Sequence, residues 1–253
     1  MILRSERVLS SIGVPHAFTL RDPFQPGFGN ISFKFGDPQD VLAARAEALR
    51  DMGQEPADLV LASQCHGTRI HRVTEEYRGR GALNDESKLP DADGLVTDLH
   101  GLPIGVQVAD CCCLLIADRS GSAVGAFHAG WRGTFDGMAR EAVLSFNKEF
   151  GIPASDLSVW IGPAISGKNY EVDEALWGRF KAQWGEDCLL TNPWRIDLPR
   201  LNIGQLLDTG TPMDHIEDCG ICTFESEWCF SHRRGDSPPG RMMGVVARLP
   251  PQK

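Results

Sequence analysis

Three polar groups stand at the ends of short apolar runs: His66 in S-Q-C-H-G, Cys111 in V-A-D-C-C-C and His128 in F-H-A-G-W-R-G. Two imidazoles and one thiolate can hold a single zinc ion and leave its fourth position open. An open position separates a metal that does chemistry from one that braces a fold. The spacings are long, so folding must assemble the cluster. Both donor types lose a proton readily, the thiol because metal binding drives its ionisation. Gly67 follows His66 directly and Gly130 follows His128 by two, and glycines there permit close approach. Asp110, beside Cys111, is placed to orient a ligand imidazole or to carry a proton.

The same residues have other uses. Each of the three can be a buried or hydrogen-bonded structural residue. Cys111 with a nearby histidine can also form a nucleophile–base pair, which needs no metal. Cys112 and Cys113 follow it directly, and strand alternation sends one of them into the core. C-x-x-C at Cys219 and Cys222 suggests a zinc knuckle or a redox pair, but no second pair matches it. Arg132, Arg233 and Arg234 are candidates for clamping a phosphate or carboxylate. Trp131 and Phe230 are candidates for stacking on a planar base.

The chain has 253 residues, 42% of them apolar, enough for one large domain spanning 1–253. A formal net charge of -9 argues against a nucleic-acid phosphate surface as a general partner, although a local arginine pocket can still take a small anion. No run approaches the ~20 apolar residues of a membrane span. The opening ten residues are too broken by charge for an export signal. Eight cysteines without such a signal, three of them adjacent, fit free or metal-bound thiols in a cytoplasmic protein.

The positioning elements follow from periodicity. Strands are expected at 30–35, 59–63, 104–108, 113–117, 123–127, 158–161 and 242–249, with a hairpin turn at 118–121. Helices are expected at 38–52, 134–150, 174–184 (capped by Asp173) and, more weakly, 201–207. Residues 74–90 read as a surface loop and a candidate lid. The loop 166–169 after Gly162-Pro163 can line a pocket. Strands and helices mix without strict alternation, which points to a layered α/β domain with mixed sheets.

Taken together, Q-C-H-G at 64–67, A-D-G-L-V-T at 92–97, A-D-C at 109–111, H-A-G-W-R-G at 128–133, I-G-P at 161–163, Y-E-V-D at 170–173, I-C-T at 221–223, F-S-H-R-R at 230–234 and G-R-M at 240–242 resemble one family. It is the multicopper polyphenol oxidoreductase (laccase-type) family, also called the peptidoglycan editing factor or purine nucleoside phosphorylase-like family. The resemblance spans almost the whole chain. It implies a zinc site of His66, Cys111 and His128, and an α/β/β/α sandwich akin to the catalytic domain of deamidating toxins. It implies phosphorolysis of adenosine, inosine, guanosine and methylthioadenosine, and hydrolytic deamination of adenosine. Purine nucleosides and phosphate are then the partners of a monomer or small homo-oligomer. Editing of wrongly incorporated serine in cell-wall precursors is a further family role. The chain departs from the family at Lys34, where histidine is usual, and at Ala44, where asparagine is usual.

A laccase-type set of four coppers requires more imidazoles than seven scattered histidines, none in an H-x-H pair. One mononuclear site is what this chain can build. Copper could still occupy it and support weak polyphenol oxidation, because copper outcompetes zinc for such donors. Three classes therefore stand: a zinc nucleoside enzyme, a metal-free cysteine hydrolase, and a noncatalytic partner protein.

Overall fold

A computed structural model describes residues 1–248. The chain runs β1 (Ile2–Leu3), β2 (His16–Thr19), α1 (Pro38–Asp51), β3 (Ile70–Arg72), β4 (Gly94–Thr97) and β5 (Ile104–Val108). It continues with β6 (Cys112–Asp118), β7 (Val124–Ala129), α2 (Trp131–Phe135), α3 (Met138–Phe150), β8 (Leu157–Ile161) and α4 (Glu174–Trp184). It closes with β9 (Leu189–Leu190), β10 (Arg195–Ile196), α5 (Leu198–Asp208), β11 (Ile216–Asp218) and β12 (Met242–Val246).

Two sheets form the body, apart from a small β10-β9 ribbon. One is antiparallel, in the order β1-β2-β12-β5. The other is mixed, in the order β11-β8-β6-β7-β4-β3, with parallel pairs at its two edges and antiparallel pairs inside. Period-two alternation divides the apolar side chains among three cores. Phe18, Val106 and Met242 of the first sheet meet Leu95, Leu115, Val124 and Trp160 of the second. Ala17, Met243 and Val245 point the other way, onto Ala44, Ala48 and Leu49 of α1. Leu114, Phe127 and Val159 turn outward onto α3 and α5. The layers are therefore helix, sheet, sheet, helix.

β6 is covered on both faces, so both expected alternatives for its cysteines are filled. Cys113 enters the core between the sheets and Cys112 the core under the helices. Gly244 makes room for Cys113, since a Cβ there would lie 2.2 Å from the sulfur.

Several expected elements change. Residues 30–35 form no strand: the Asn30 side chain accepts from Ser32 N and donates to Ser32 O, closing a turn. Residues 59–63 form only isolated bridges, from Val60 to Gly81 and Ile104 and from Ala62 to Leu89. The helix expected at 134–150 is two helices, because Gly137 takes φ 90° between α2 and α3. The loop 74–90 buries Ala82 and Leu89 in the core, which ties it down along its length. The strand expected at 242–249 ends at Val246, and residue 249 lies outside the described residues.

Two links matter for the site. Residues 109–111 pass from β5 in the first sheet to β6 in the second. Residues 63–69 pass from the bridge beside β5 to β3 in the second sheet.

Candidate metal centre

His66 and Cys111 sit on those two links, and His128 sits near the end of β7, paired in register with Cys113. One ligand atom from each of the three lies within 4.8 Å of the others. The two imidazole rings stand 4.9 Å apart at 85°. A tetrahedral zinc with bonds of about 2.0–2.3 Å would draw such donors to roughly 3.5 Å, so a small inward movement suffices. Two imidazole nitrogens and a thiolate suit a borderline-soft divalent cation. Among the described residues no other group of three such donors converges.

The backbone is shaped to present them. His66 has φ 62° and Asp110 has φ 83°, left-handed values that non-glycine residues adopt at a cost. Gly130 opens α2 directly beneath the cluster. A Cβ there would lie 3.1 Å from Cys111 Sγ and 3.2 Å from His66 Cδ2.

A buried carboxylate, Asp93, organises the histidines. Its Oδ1 bonds His128 Nδ1 at 2.7 Å and accepts from His66 N at 3.0 Å. Its Oδ2 accepts from Gly67 N at 2.8 Å and Cys65 N at 3.1 Å. With Nδ1 engaged, His128 is left with Nε2 for the cluster, the second-shell arrangement common around metal-bound imidazoles.

The charges agree with this geometry. Burial works to raise the Asp93 carboxyl, but the bonds from His128, Cys65 and Gly67 outweigh it and bring it down to about 2. Burial likewise works to raise the Cys111 thiol, and the His128 and His66 imidazoles overrule it, bringing the thiol to about 6. Burial pushes His128 down, whereas the Cys111 thiolate and Asp93 push it up to about 9.

Asp110 does not reach an imidazole through its carboxylate. Oδ1 accepts from Thr223 Oγ1 at 2.6 Å, Oδ2 from Arg233 N at 2.7 Å, and its carbonyl from Ile165 N at 2.9 Å. It gathers three loops around Cys111. The imidazole-orienting carboxylate is Asp93, a residue inside an ordinary-looking A-D-G triplet.

The cluster lies on the wall of a cavity of about 480 Å³ that Ser32, Lys34, Lys88, Gln107, His232 and Arg241 also line. The arginines expected from sequence lie elsewhere. Arg234 directs its guanidinium to Asp236 and to the carbonyls of Thr223, Phe224, Ser226 and Cys229, so it braces a loop. Phe230 is buried in the inter-sheet core, against the site where a Gly240 Cβ would be, and offers no face to a substrate base. Trp131 and Arg233 line a neighbouring recess with Tyr170, and Arg132 stacks over the Trp131 ring at 4.3 Å. Lys88 and Arg241 escaped the sequence reading; the G-R-M triplet at 240–242 carried the only signal for Arg241. Among the described residues no helix is long and apolar enough to cross a membrane.

Residues 21–249 match the profile of the family described as "Multi-copper polyphenol oxidoreductase laccase". The chain is 36% identical to the purine nucleoside phosphorylase YlmD of Geobacillus stearothermophilus, over 87% of this chain and 83% of that one. It is 35% identical to the purine nucleoside phosphorylase YlmD of Bacillus subtilis, over 82% and 77%. It is 32% identical to "Adenosine deaminase RL5" of an unknown prokaryotic organism, over 84% and 83%. Among solved structures, the hypothetical protein YfiH of Bacillus licheniformis superposes with a TM-score of 0.87 at 31% identity, covering 94% of this chain and 93% of that one.

Proposed function

Since the chain belongs to the multi-copper polyphenol oxidoreductase laccase family, we propose that it is a zinc-dependent purine nucleoside phosphorylase with adenosine deaminase activity, in keeping with the names its relatives carry. Adenosine, inosine, guanosine and methylthioadenosine are its substrates on this reading. The observation that carries it is the meeting of two imidazoles and one thiolate on the wall of a cation-lined cavity. Cavities of this size hold a small organic ligand.

His66, Cys111 and His128 would hold the zinc, which supplies Lewis acidity at its open position when bound. Asp93 keeps the His128 ring oriented through Nδ1. Asp110 positions the loops around Cys111. On this reading Trp131 stacks on the purine from the recess that neighbours the cavity, where Arg233 also lines the wall and Arg132 already covers part of the Trp131 ring. In phosphorolysis a phosphate oxygen bonds to the ribose anomeric carbon as the bond to the base breaks, and the base leaves with a proton. In deamination water adds to the ring carbon bearing the amino group, and ammonia leaves.

The test is turnover of inosine by protein of measured zinc content, with and without phosphate. Hypoxanthine and ribose 1-phosphate should appear together and only when phosphate is present. Chelation should abolish turnover and added zinc restore it. Metal-free protein that works at the full rate would end this reading.

One observation favours a second reading. The Cys111 thiol, brought to about 6 between two imidazoles against the effect of burial, is poised as a nucleophile. A cysteine-dependent amide hydrolase acting on cell-wall precursors would keep its activity in chelator and lose it on alkylation of Cys111.

A further inference from the structure

In a chain of net charge -9, the cavity beside the metal cluster is lined by three cations, Lys34, Lys88 and Arg241, and by one carboxylate, Asp85. Lys88 is paired with that carboxylate at 2.6 Å. Neither Lys34 nor Arg241 forms an ion pair among the described residues, although Cys111 and Asp110 act on Arg241 electrostatically, and the fold brings both cations to the same aromatic ring. Arg241 Cζ lies 4.4 Å and Lys34 Nζ 5.4 Å from the centroid of Phe35.

The proximity is built rather than incidental. Arg241 N donates to Asn30 Oδ1 at 2.9 Å, and its carbonyl accepts from Ile31 N at 3.2 Å. These two bonds fasten the base of Arg241 to the turn that carries Lys34. Arg241 commits Nη1 to Gly240 O. Among the described residues Nε and Nη2 have no partner, and neither is a buried orphan. Two like charges held together on a cavity wall repel each other, and a bound anion would reverse the sign of that interaction.

We propose that Lys34 and Arg241 form an oxyanion subsite for a phosphate dianion, adjoining the His66–Cys111–His128 cluster, with the Asp85-paired Lys88 on the same cavity wall. The planar fork of Arg241 can grip two oxygens, and the Lys34 ammonium adds charge with less directional demand. The anion is either inorganic phosphate or the phosphomonoester of a nucleotide. Its role as a reactant rests on the phosphorylase reading, whereas its binding does not.

The test is calorimetric titration of the full-length protein, as isolated, with inorganic phosphate, adenosine and AMP. Wild type is compared with Lys34→Met and Arg241→Gln. Lys34 is exposed, so its substitution leaves the fold intact. Phosphate affinity should fall by about tenfold in each variant, with adenosine affinity unchanged. Phosphate binding together with adenosine identifies free phosphate as the ligand. AMP that displaces phosphate, and weakens by a similar factor in Lys34→Met, identifies a phosphomonoester. Both results support the subsite. Absence of phosphate binding by wild type, or equal binding by all three proteins, overturns it. Phosphorolysis whose phosphate KM is unmoved by both substitutions also overturns the subsite and leaves the phosphorylase reading intact. Phosphate binding that is lost in the variants, without any phosphorolysis by wild type, supports the subsite and removes that reading.

Discussion

Asp93 and His128 are joined by a 2.7 Å bond between two fully buried side chains, and the same carboxylate accepts the backbone N–H of His66. One acidic group therefore sets the position of both imidazoles in the cluster. Replacing Asp93 with Asn keeps the shape but removes the charge. Metal affinity should fall by about 10–100-fold, measured by chelator competition, and turnover should fall with it.

The same carboxylate predicts an acid-labile term in the metal-free protein. Its folded pKa is about 2, below the ordinary 3.8. A depressed folded pKa contributes stability above the unfolded value and loses it as pH drops through the folded one. The loss should begin near pH 4 and be complete a little below pH 2, on the order of 2 kcal/mol. Denaturant titrations of wild type and Asp93→Asn at pH 7, 4 and 2 read it out. Parallel curves for the two proteins would refute it.

Cys111 should be the reactive buried-site thiol of metal-free protein. Its thiolate fraction rises as pH passes through about 6, so iodoacetamide labelling should follow that titration. Cys112 and Cys113 are fully buried with thiols pushed up by that burial, and should stay unlabelled. Zinc should protect Cys111. Peptide mapping at several pH values separates it from the exposed Cys65.

Gly130→Ala places a methyl group 3.1 Å from Cys111 Sγ. The donors must shift by a few tenths of an ångström. Metal affinity should drop by about tenfold or more, while the melting temperature of the metal-free protein changes little. Metal content and calorimetry together check this.

Arg45 is buried in α1 and donates to the carbonyls of Ile31, Gly81 and Ala82. It thereby ties the turn carrying Lys34 to the loop carrying Lys88. Arg45→Met should cost about 3 kcal/mol, because the carbonyls it serves lose their donor. Amide exchange should rise in both segments, and unchanged protection there would contradict the tie.

The three metal-ligand candidates were legible because each is a polar residue closing an apolar run. Helix α4 and its Asp173 cap were legible from spacing alone, and the structure starts it at Glu174, with Asp173 accepting from Leu176 N. Asp93 was not legible, since Asp before Gly looks like any turn. Arginine roles were also hidden. The sequence shows a guanidinium but not where its donors go, and Arg234 directs its own to a carboxylate and loop carbonyls whereas Arg241 leaves two nitrogens open. The break between α2 and α3 turned on one backbone angle at Gly137, and the lost strand at 30–35 on the side-chain bonds of Asn30.

The links that carry His66 and Cys111 run from one sheet to the other, and His128 belongs to the second sheet. An ion gripped by all three would act as a rivet through the seam between the layers. Any shear of one sheet over the other would spread the donors, so the loaded protein should come apart as one body where the empty one can slide.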